Sequence, residues 1–358
     1  MNRKLLLASV AALGLAVLAW DLLRAPAPAT APAAVAAAPA AAPSASRVSA
    51  APAPAAPASP SASNNILRHA VTKVTASPLA QEFAAATSYR PLYDRLKGTA
   101  EGATPEGQYL LWQMLRACGN ANARKGQATH LDELRTRVAA DHPESDPRRA
   151  QRLAAIDRLS TDKCAGMGGI TATEAELAAL LKGAAAGNDP KARVTLLEQE
   201  MWAERRSVGG RAGPTLSDGQ LDAIRDAFSS RDPEAMVSAG RILANNFRDL
   251  SVRLGPDQQP IEPNSFRQAA LLLACEYGYS CGDNAVPVLQ GCASQGRCDA
   301  NNLPDYLFYY GVSPYDAQVL DRYRTMLRTA VDTGDFSSLS FQRGVRTNAP
   351  VPTPPGSR

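Results

Sequence analysis

The chain of 358 residues carries 38 Lys and Arg against 34 Asp and Glu, a formal net charge of +4, with no run of basic residues. That excludes the concentrated basic face needed to hold phosphates, so nucleic acid is not an expected partner. Six cysteines and only three histidines narrow the available chemistry further.

Residues 1–24 open with Arg3 and Lys4, run apolar from Leu5 to Trp20, and are broken by Asp21 before Leu22, Leu23 and Arg24. This is an export signal. Val17 and Ala19 suit cleavage. The span 5–23 is also just long enough to cross a bilayer, with Trp20 at the interface and the positive end inside. An uncleaved inner-membrane anchor is the leading reading, and a soluble periplasmic or secreted product the alternative. Residues 25–63 are almost wholly Ala, Pro and Ser, with Arg47 their only charge. Proline at this density favours extended chain, a disordered linker reaching about 100 Å. A helical domain is expected over residues 64–343, with a possible subdivision near 168. The tail 344–358, rich in Pro and Thr, is expected to be disordered.

All six cysteines (Cys118, Cys164, Cys275, Cys281, Cys292 and Cys298) fall in the domain, and an even number in an oxidising compartment argues for disulfides. Six cysteines allow fifteen connectivities, among which spacing does not select. Clustering favours Cys118 with Cys164, because the other four share one short stretch. For those, Cys275 with Cys281 and Cys292 with Cys298 is preferred, against a competing zinc site of four thiolates that lacks tight Cys-x-x-Cys pairs.

Within the domain, short helices are expected from Pro78 to Ala86 and from Tyr89 to Lys97. A stronger one is capped by Thr104, with Pro105 at its first position and Leu111, Met114, Leu115 and Cys118 on one stripe. Helices follow over Thr129 to Ala140 and from Asp146-Pro147 to Leu159. Thr171 and Glu174 have capping-box spacing ahead of a helix from Ala172 to Ala186. Asp189-Pro190 and Asp232-Pro233 then each open a helix, Asp as N-cap and Pro where the missing N–H costs nothing. Eight residues before each Asp stands Leu181 or Ile224, five before it Ala184 or Ala227, three after it Ala192 or Ala235. The same frame fits Leu327, Ala330, Asp335 and Ser338. It describes an αα-hairpin unit that cannot bury its apolar face alone and therefore stacks. Ser217 and Gln220 cap the helix before Asp232. The Gly-rich loop from Gly209 to Pro214 lacks the Gly-Lys-Ser/Thr of a P-loop and reads as a connector. A polar loop from Gly255 to Pro263 leads to a helix from Phe266 to Cys275, begun by Asn264 or Ser265. Asn302 and Pro304 start the helix of Tyr306 and its neighbours. Ser313-Pro314 opens the clearest amphipathic helix, which stops at Gly334. No stretch alternates at period two with β-branched residues, so the fold class is all-α: an irregular αα-hairpin repeat domain stapled by disulfides.

The run Ala235-Met236-Val237-Ser238-Ala239-Gly240-Arg241-Ile242-Leu243 resembles the A-x-x-x-L-G-x-x-Y core of Sel-one-like, tetratricopeptide-related repeats, with Ala239 in the Leu position and Leu243 in the Tyr position. Ala192 to Leu196 is similar without the Gly. The resemblance implies a tetratricopeptide-like fold and protein binding. The segment Glu276-Tyr277-Gly278-Tyr279-Ser280-Cys281-Gly282, followed by Gly296-Arg297-Cys298, is similar to uncharacterised exported helical proteins of bacteria.

No catalytic apparatus is recognisable. His69, His130 and His142 are the only histidines to serve as base, and no Gly-x-Ser-x-Gly is present. His130 with Asp132 and Glu133 could begin a metal site but suits a solvated helix start; Asp299, Asn301 and Asp305 resemble part of a calcium loop but suit helix capping. No metal or cofactor is expected. Glu276, in a Tyr- and Cys-rich loop, is the candidate acid of a peptidoglycan hydrolase. Tyr306, Tyr309, Tyr310 and Tyr315 are candidate binding anchors in an aromatic group with Phe308, most of it expected in the core and about two of the five protruding, and Trp112 and Trp202 carry the same ambiguity. The leading expectation is a periplasmic interaction or scaffold module for an unidentified envelope protein, tethered through residues 5–23 if uncleaved. A glycan hydrolase and a purely structural envelope protein are the alternatives.

Overall fold

The computed structural model describes residues 76–119, 121–207 and 213–344, without the side chains of residues 121–124. The export signal, the linker, the tail, His69 and the loop residues 208–212 lie outside the described residues. Within them the chain is mostly helical. The helices are α1 (Pro78–Ala85), α2 (Arg90–Leu96), α3 (Pro105–Gly119), α4 (Ala121–Asp141), α5 (Pro147–Leu159), α6 (Glu174–Ala186) and α7 (Pro190–Ser207). They continue with α8 (Asp218–Ser229), α9 (Pro233–Leu243), α10 (Pro263–Glu276), α11 (Val286–Gln295), α12 (Leu303–Tyr306) and α13 (Pro314–Thr333). A π-helical turn, Leu307–Gly311, extends α12. Three short strands complete the order, β1 (Leu250–Leu254), β2 (Gln259–Pro260) and β3 (Leu339–Arg343). None of these helices is long and apolar enough to cross a membrane.

Most helix starts follow from local chemistry. Thr104 Oγ1 accepts from Gly107 N at 3.1 Å, and Asp146, Ser217, Asn302 and Ser313 cap as their spacing requires. Three starts differ from expectation. The capping box before α6 is Thr173 with Glu176 rather than Thr171 with Glu174, because the sequence offers the spacing twice and the later choice keeps both glutamates in the first turn. Before α10 the cap is Glu262, whose carboxylate accepts from Asn264 N and Ser265 N, so that Pro263 takes the first position. Helix α4 also starts earlier than Thr129, at Ala121, across a polar run that has no apolar stripe to signal it.

The apolar positions of the Asp-Pro frame are among the most buried of the described residues. Leu181, Ala184, Ala192, Ile224, Ala227, Ala235, Leu327 and Ala330 are all at most 1% exposed. In each frame the residue before the Asp has left-handed backbone: Asn188 (φ 66°), Arg231 (φ 59°) and Gly334 (φ 73°). That residue ends one helix and re-aims the chain. After Asn188 and Arg231, Asp-Pro restarts a helix. Asp335 does not, contrary to the sequence frame: Phe336 stands where the others have Pro, the Asp335 carboxylate accepts from Ser337 N at 2.8 Å, and the chain leaves as β3.

The sheet is the element the sequence reading lacks. β1 lies between β2 and β3, antiparallel to both, with Val252 opposite Phe341 and Leu254 opposite Leu339. Leu250, Val252 and Leu254 alternate into the core while Ser251 and Arg253 do not. A five-residue strand with one β-branched residue, paired across a gap in sequence longer than two helices, gives little local signal.

The core has four parts. One joins α2, α3, α6 and the start of α7. The largest joins α7 to α10, α13 and the sheet. A third packs α4 and α5 on α11, which links the two sides of position 168, and a fourth packs α10 to α13. Three disulfides, Cys118–Cys164, Cys275–Cys281 and Cys292–Cys298, hold the layers, and no described cysteine is free. Chain entropy credits the Cys118–Cys164 bridge, closing 46 residues, with about 4 kcal/mol. Such bridges belong to an oxidising compartment, extracellular or periplasmic.

Helices α9 and α10 meet where Gly240 has no side chain: a Cβ there would sit 2.2 Å from Ala270 Cβ. Gly240→Ala is therefore expected to destabilise by about 1 to 3 kcal/mol in urea unfolding, and the added Ala270→Gly exchange to recover part of the loss.

Candidate functional site

Three helices begin alike. Thr104-Pro105-Glu106, Asp189-Pro190-Lys191 and Asp232-Pro233-Glu234 each place a cap, a proline and a charged residue in succession. The fold brings these starts together. Lys191 Nζ, only 4% exposed, lies 3.3 Å from Glu106 Oε1, 3.2 Å from Asp232 Oδ2 and 3.7 Å from Asp189 Oδ2, over the ring of Tyr109. Burial alone would lower the proton affinity of this ammonium, but Asp232, Asp189, Glu106 and Glu234 outweigh it and hold its pKa above the ordinary lysine value. For Asp189 and Glu234 burial wins: both carboxyls are pushed above the usual carboxylate range, with Lys191 opposing the shift. The helix N-termini help the cluster hold its charge, each contributing about half a positive charge.

Above the cluster lies a groove of about 500 Å³. Each of three helices lines it with residues at i, i+3, i+4 and i+7, one face apiece. Helix α3 supplies Tyr109, Trp112, Gln113 and Arg116; α7 supplies Thr195, Glu198, Gln199 and Trp202. Helix α9 supplies Glu234, Val237, Ser238 and Arg241, and Tyr279 closes the side. Gln113 Nε2 donates to Tyr109 Oη at 3.2 Å and to Glu234 Oε2 at 3.3 Å, while the hydroxyls of Tyr109 and Thr195 share a hydrogen bond of 3.3 Å. On the rim Arg241 donates to Glu198 at 2.6 Å, Arg116 stacks 5.4 Å from the Trp112 ring and Arg205 stacks 5.3 Å from Trp202. Trp112 is buried at 7% and Trp202 exposed at 38%.

The residues singled out from the sequence lie elsewhere. Glu276 is buried at the end of α10, where Arg328 donates to it from Nε at 2.6 Å and from Nη2, and Arg324 adds a third contact at 3.7 Å. Both oxygens are engaged by guanidinium, which leaves neither one turned toward a substrate. Tyr306 packs over Gly291, and Tyr310 lies under Arg297 and donates to Asp299 at 3.3 Å. Tyr309 and Tyr315 protrude, 59% and 74% exposed. The four tyrosines form no common pocket with Glu276 among the described cavities. Asp132 and Glu133 line an open depression of about 550 Å³ along α4 alone, so no second element converges on it. Asp305 accepts from Asn302 at 2.8 Å within its own helix start. Among the described residues no group of His, Cys, Asp and Glu is placed to hold a metal.

Glu234, Gln113 and Lys191 were not among the sequence candidates. Their signal was the thrice-used start and the polar stripe of α3 on the face beside its apolar one. Neither stripe says which helices will face each other.

Three substitutions separate these environments. Glu276→Gln should lose about 3 kcal/mol in chemical denaturation, because it leaves two arginines against a neutral amide. Lys191→Met should cost about 3 to 5 kcal/mol by stranding its carboxylates. Glu234→Gln should act the other way. A carboxyl whose folded pKa exceeds its unfolded value stabilises the fold while protonated and loses that contribution as pH rises through the folded pKa. The variant should therefore melt higher than the parent at pH 7.5, and the difference should close below pH 4.5, the ordinary carboxyl value. Compared with known proteins, the chain matches no family model, no curated protein and no solved structure.

Proposed function

We propose that this domain is an exported interaction module that receives a segment of an envelope protein in the groove between α3, α7 and α9. The observation carrying this reading is the convergence of three helix faces on one groove, each presenting aromatic, amide and charged groups at one-turn spacing. Repeat-like helix pairs, with the likeness of 235–243 to Sel-one-like, tetratricopeptide-related units, support a surface built to hold another chain. The leading apolar segment and the Ala/Pro linker fit a periplasmic domain held off the inner membrane, with reach set by residues 25–63.

One observation favours a second reading, cleavage of cell-wall glycan. Glu234 combines burial, a raised pKa and a place in an aromatic-walled groove, which is what a general acid requires; Glu276 does not line that groove. The other groove carboxylate, Glu198, is paired with Arg241 rather than standing free as a second catalytic carboxylate, which supports the binding reading.

Photo-crosslinking in cells from a probe at Trp202, with purification of the full chain, should recover one envelope protein reproducibly. The same probe at Glu133 should not. Recovery from both or neither overturns the groove as the recognition surface, and release of soluble fragments from purified peptidoglycan, lost in Glu234→Gln, would replace binding by cleavage.

A further inference from the structure

Glu234 and Gln113 stand side by side in the lining of the groove. Glu234 Oε2 is taken by Gln113 Nε2, but Oε1 makes no hydrogen bond among the described residues. Gln113 Oε1 is buried and likewise without a partner there. Its orientation is dictated by Glu234, since the reversed amide would set oxygen against carboxylate. Both of these atoms are acceptors. Charge points the same way. Glu106, Asp189, Asp232 and Glu234 face the single ammonium of Lys191, and three helix N-termini at about half a charge each leave an excess of negative charge. On the rim Arg241 is neutralised by Glu198 and Arg116 is stacked on Trp112, so neither answers Glu234.

We propose that the groove is a receptor site for a primary ammonium, the side chain of a lysine on the partner segment, with Glu234 as its carboxylate and Trp202 as its wall. This rests on the interaction reading above and names the partner's chemistry. A lysine suits the floor better than an arginine. The guanidinium fork is matched to a carboxylate with both oxygens open, whereas Glu234 offers one. An ammonium presents its N–H groups from a single point and needs only the one open oxygen. The four-carbon stem would lie along Val237, with the indole of Trp202 walling the groove beyond it.

The test uses the full chain and blocked pentapeptides, Ser-Ala-Lys-Ala-Ser and its counterparts with arginine or norleucine at the centre, followed by tryptophan fluorescence and by NMR shifts of the indole N–H groups. The lysine peptide should bind saturably, the arginine peptide several-fold more weakly and the norleucine peptide not at all. Glu234→Gln should weaken lysine binding roughly tenfold or more, without a lower melting point, which shows that the variant folds. Trp202→Ala, at a half-exposed position, should weaken it less, and Glu133→Gln not at all. Binding should fade as pH falls and Glu234 takes a proton. Equal binding of norleucine, or an unchanged affinity in a folded Glu234→Gln, would overturn the ammonium site. A partner crosslinked from Trp202 together with failure of the lysine peptide would sink this inference alone and leave the interaction reading standing.

Discussion

Burying one lysine among the starts of three helices is the constraint on which this structure turns. An ammonium at 4% exposure must be surrounded by carboxylates, and they come from the caps and first turns of α3, α7 and α9. Holding those three starts together aligns the helices that follow them, so their exposed faces run side by side and enclose the groove. A structural requirement, the pairing of a buried charge, thereby creates a recognition surface. The arrangement also explains why the site is strained in charge. The carboxylates that hold Lys191 are more numerous than it can neutralise, and burial raises the pKa of two of them.

The two glutamates most relevant to function show how environment decides role. Glu276 is buried at the C-terminal end of its helix, and Glu234 is partly buried in the first turn of its own. Glu276 would be disfavoured by its helix end, and two arginines from α13 compensate, locking α10 to α13. Glu234 has a favourable helix end yet crowded acidic neighbours, and only an amide bonds it directly. The first is satisfied and rigid. The second retains an open acceptor in a solvent-reached groove.

The disulfides divide their work in keeping with the core. Cys118–Cys164 ties α3, one wall of the groove, to the segment that precedes α6. Cys275–Cys281 and Cys292–Cys298 each close a short loop around α10 and α11, far from Lys191 in sequence. A domain divided among four apolar clusters gains from such links, since no single core spans it.

Local chemistry, read from the sequence alone, determined most helix starts and the burial of the Asp-Pro frame, and the clustering of the cysteines favoured the pairing that the fold adopts. These depend on caps, prolines and spacing within a few residues, which act wherever the chain goes. Tertiary structure decided what local signals do not encode. β1 and β3 exist because each finds the other; alone, neither Leu250–Leu254 nor Leu339–Arg343 has the propensity to extend. Asp335 failed to start a helix because a strand partner was waiting and no proline followed. Glu276 was the conspicuous glutamate in one dimension, yet its partners Arg324 and Arg328 stand some fifty residues away and became its clamp only on folding. Glu234 was one charge among many after an Asp-Pro, and it became a candidate only when α3 and α7 were placed against α9. A groove is a property of which helix faces meet, and that choice is made by packing across the whole domain.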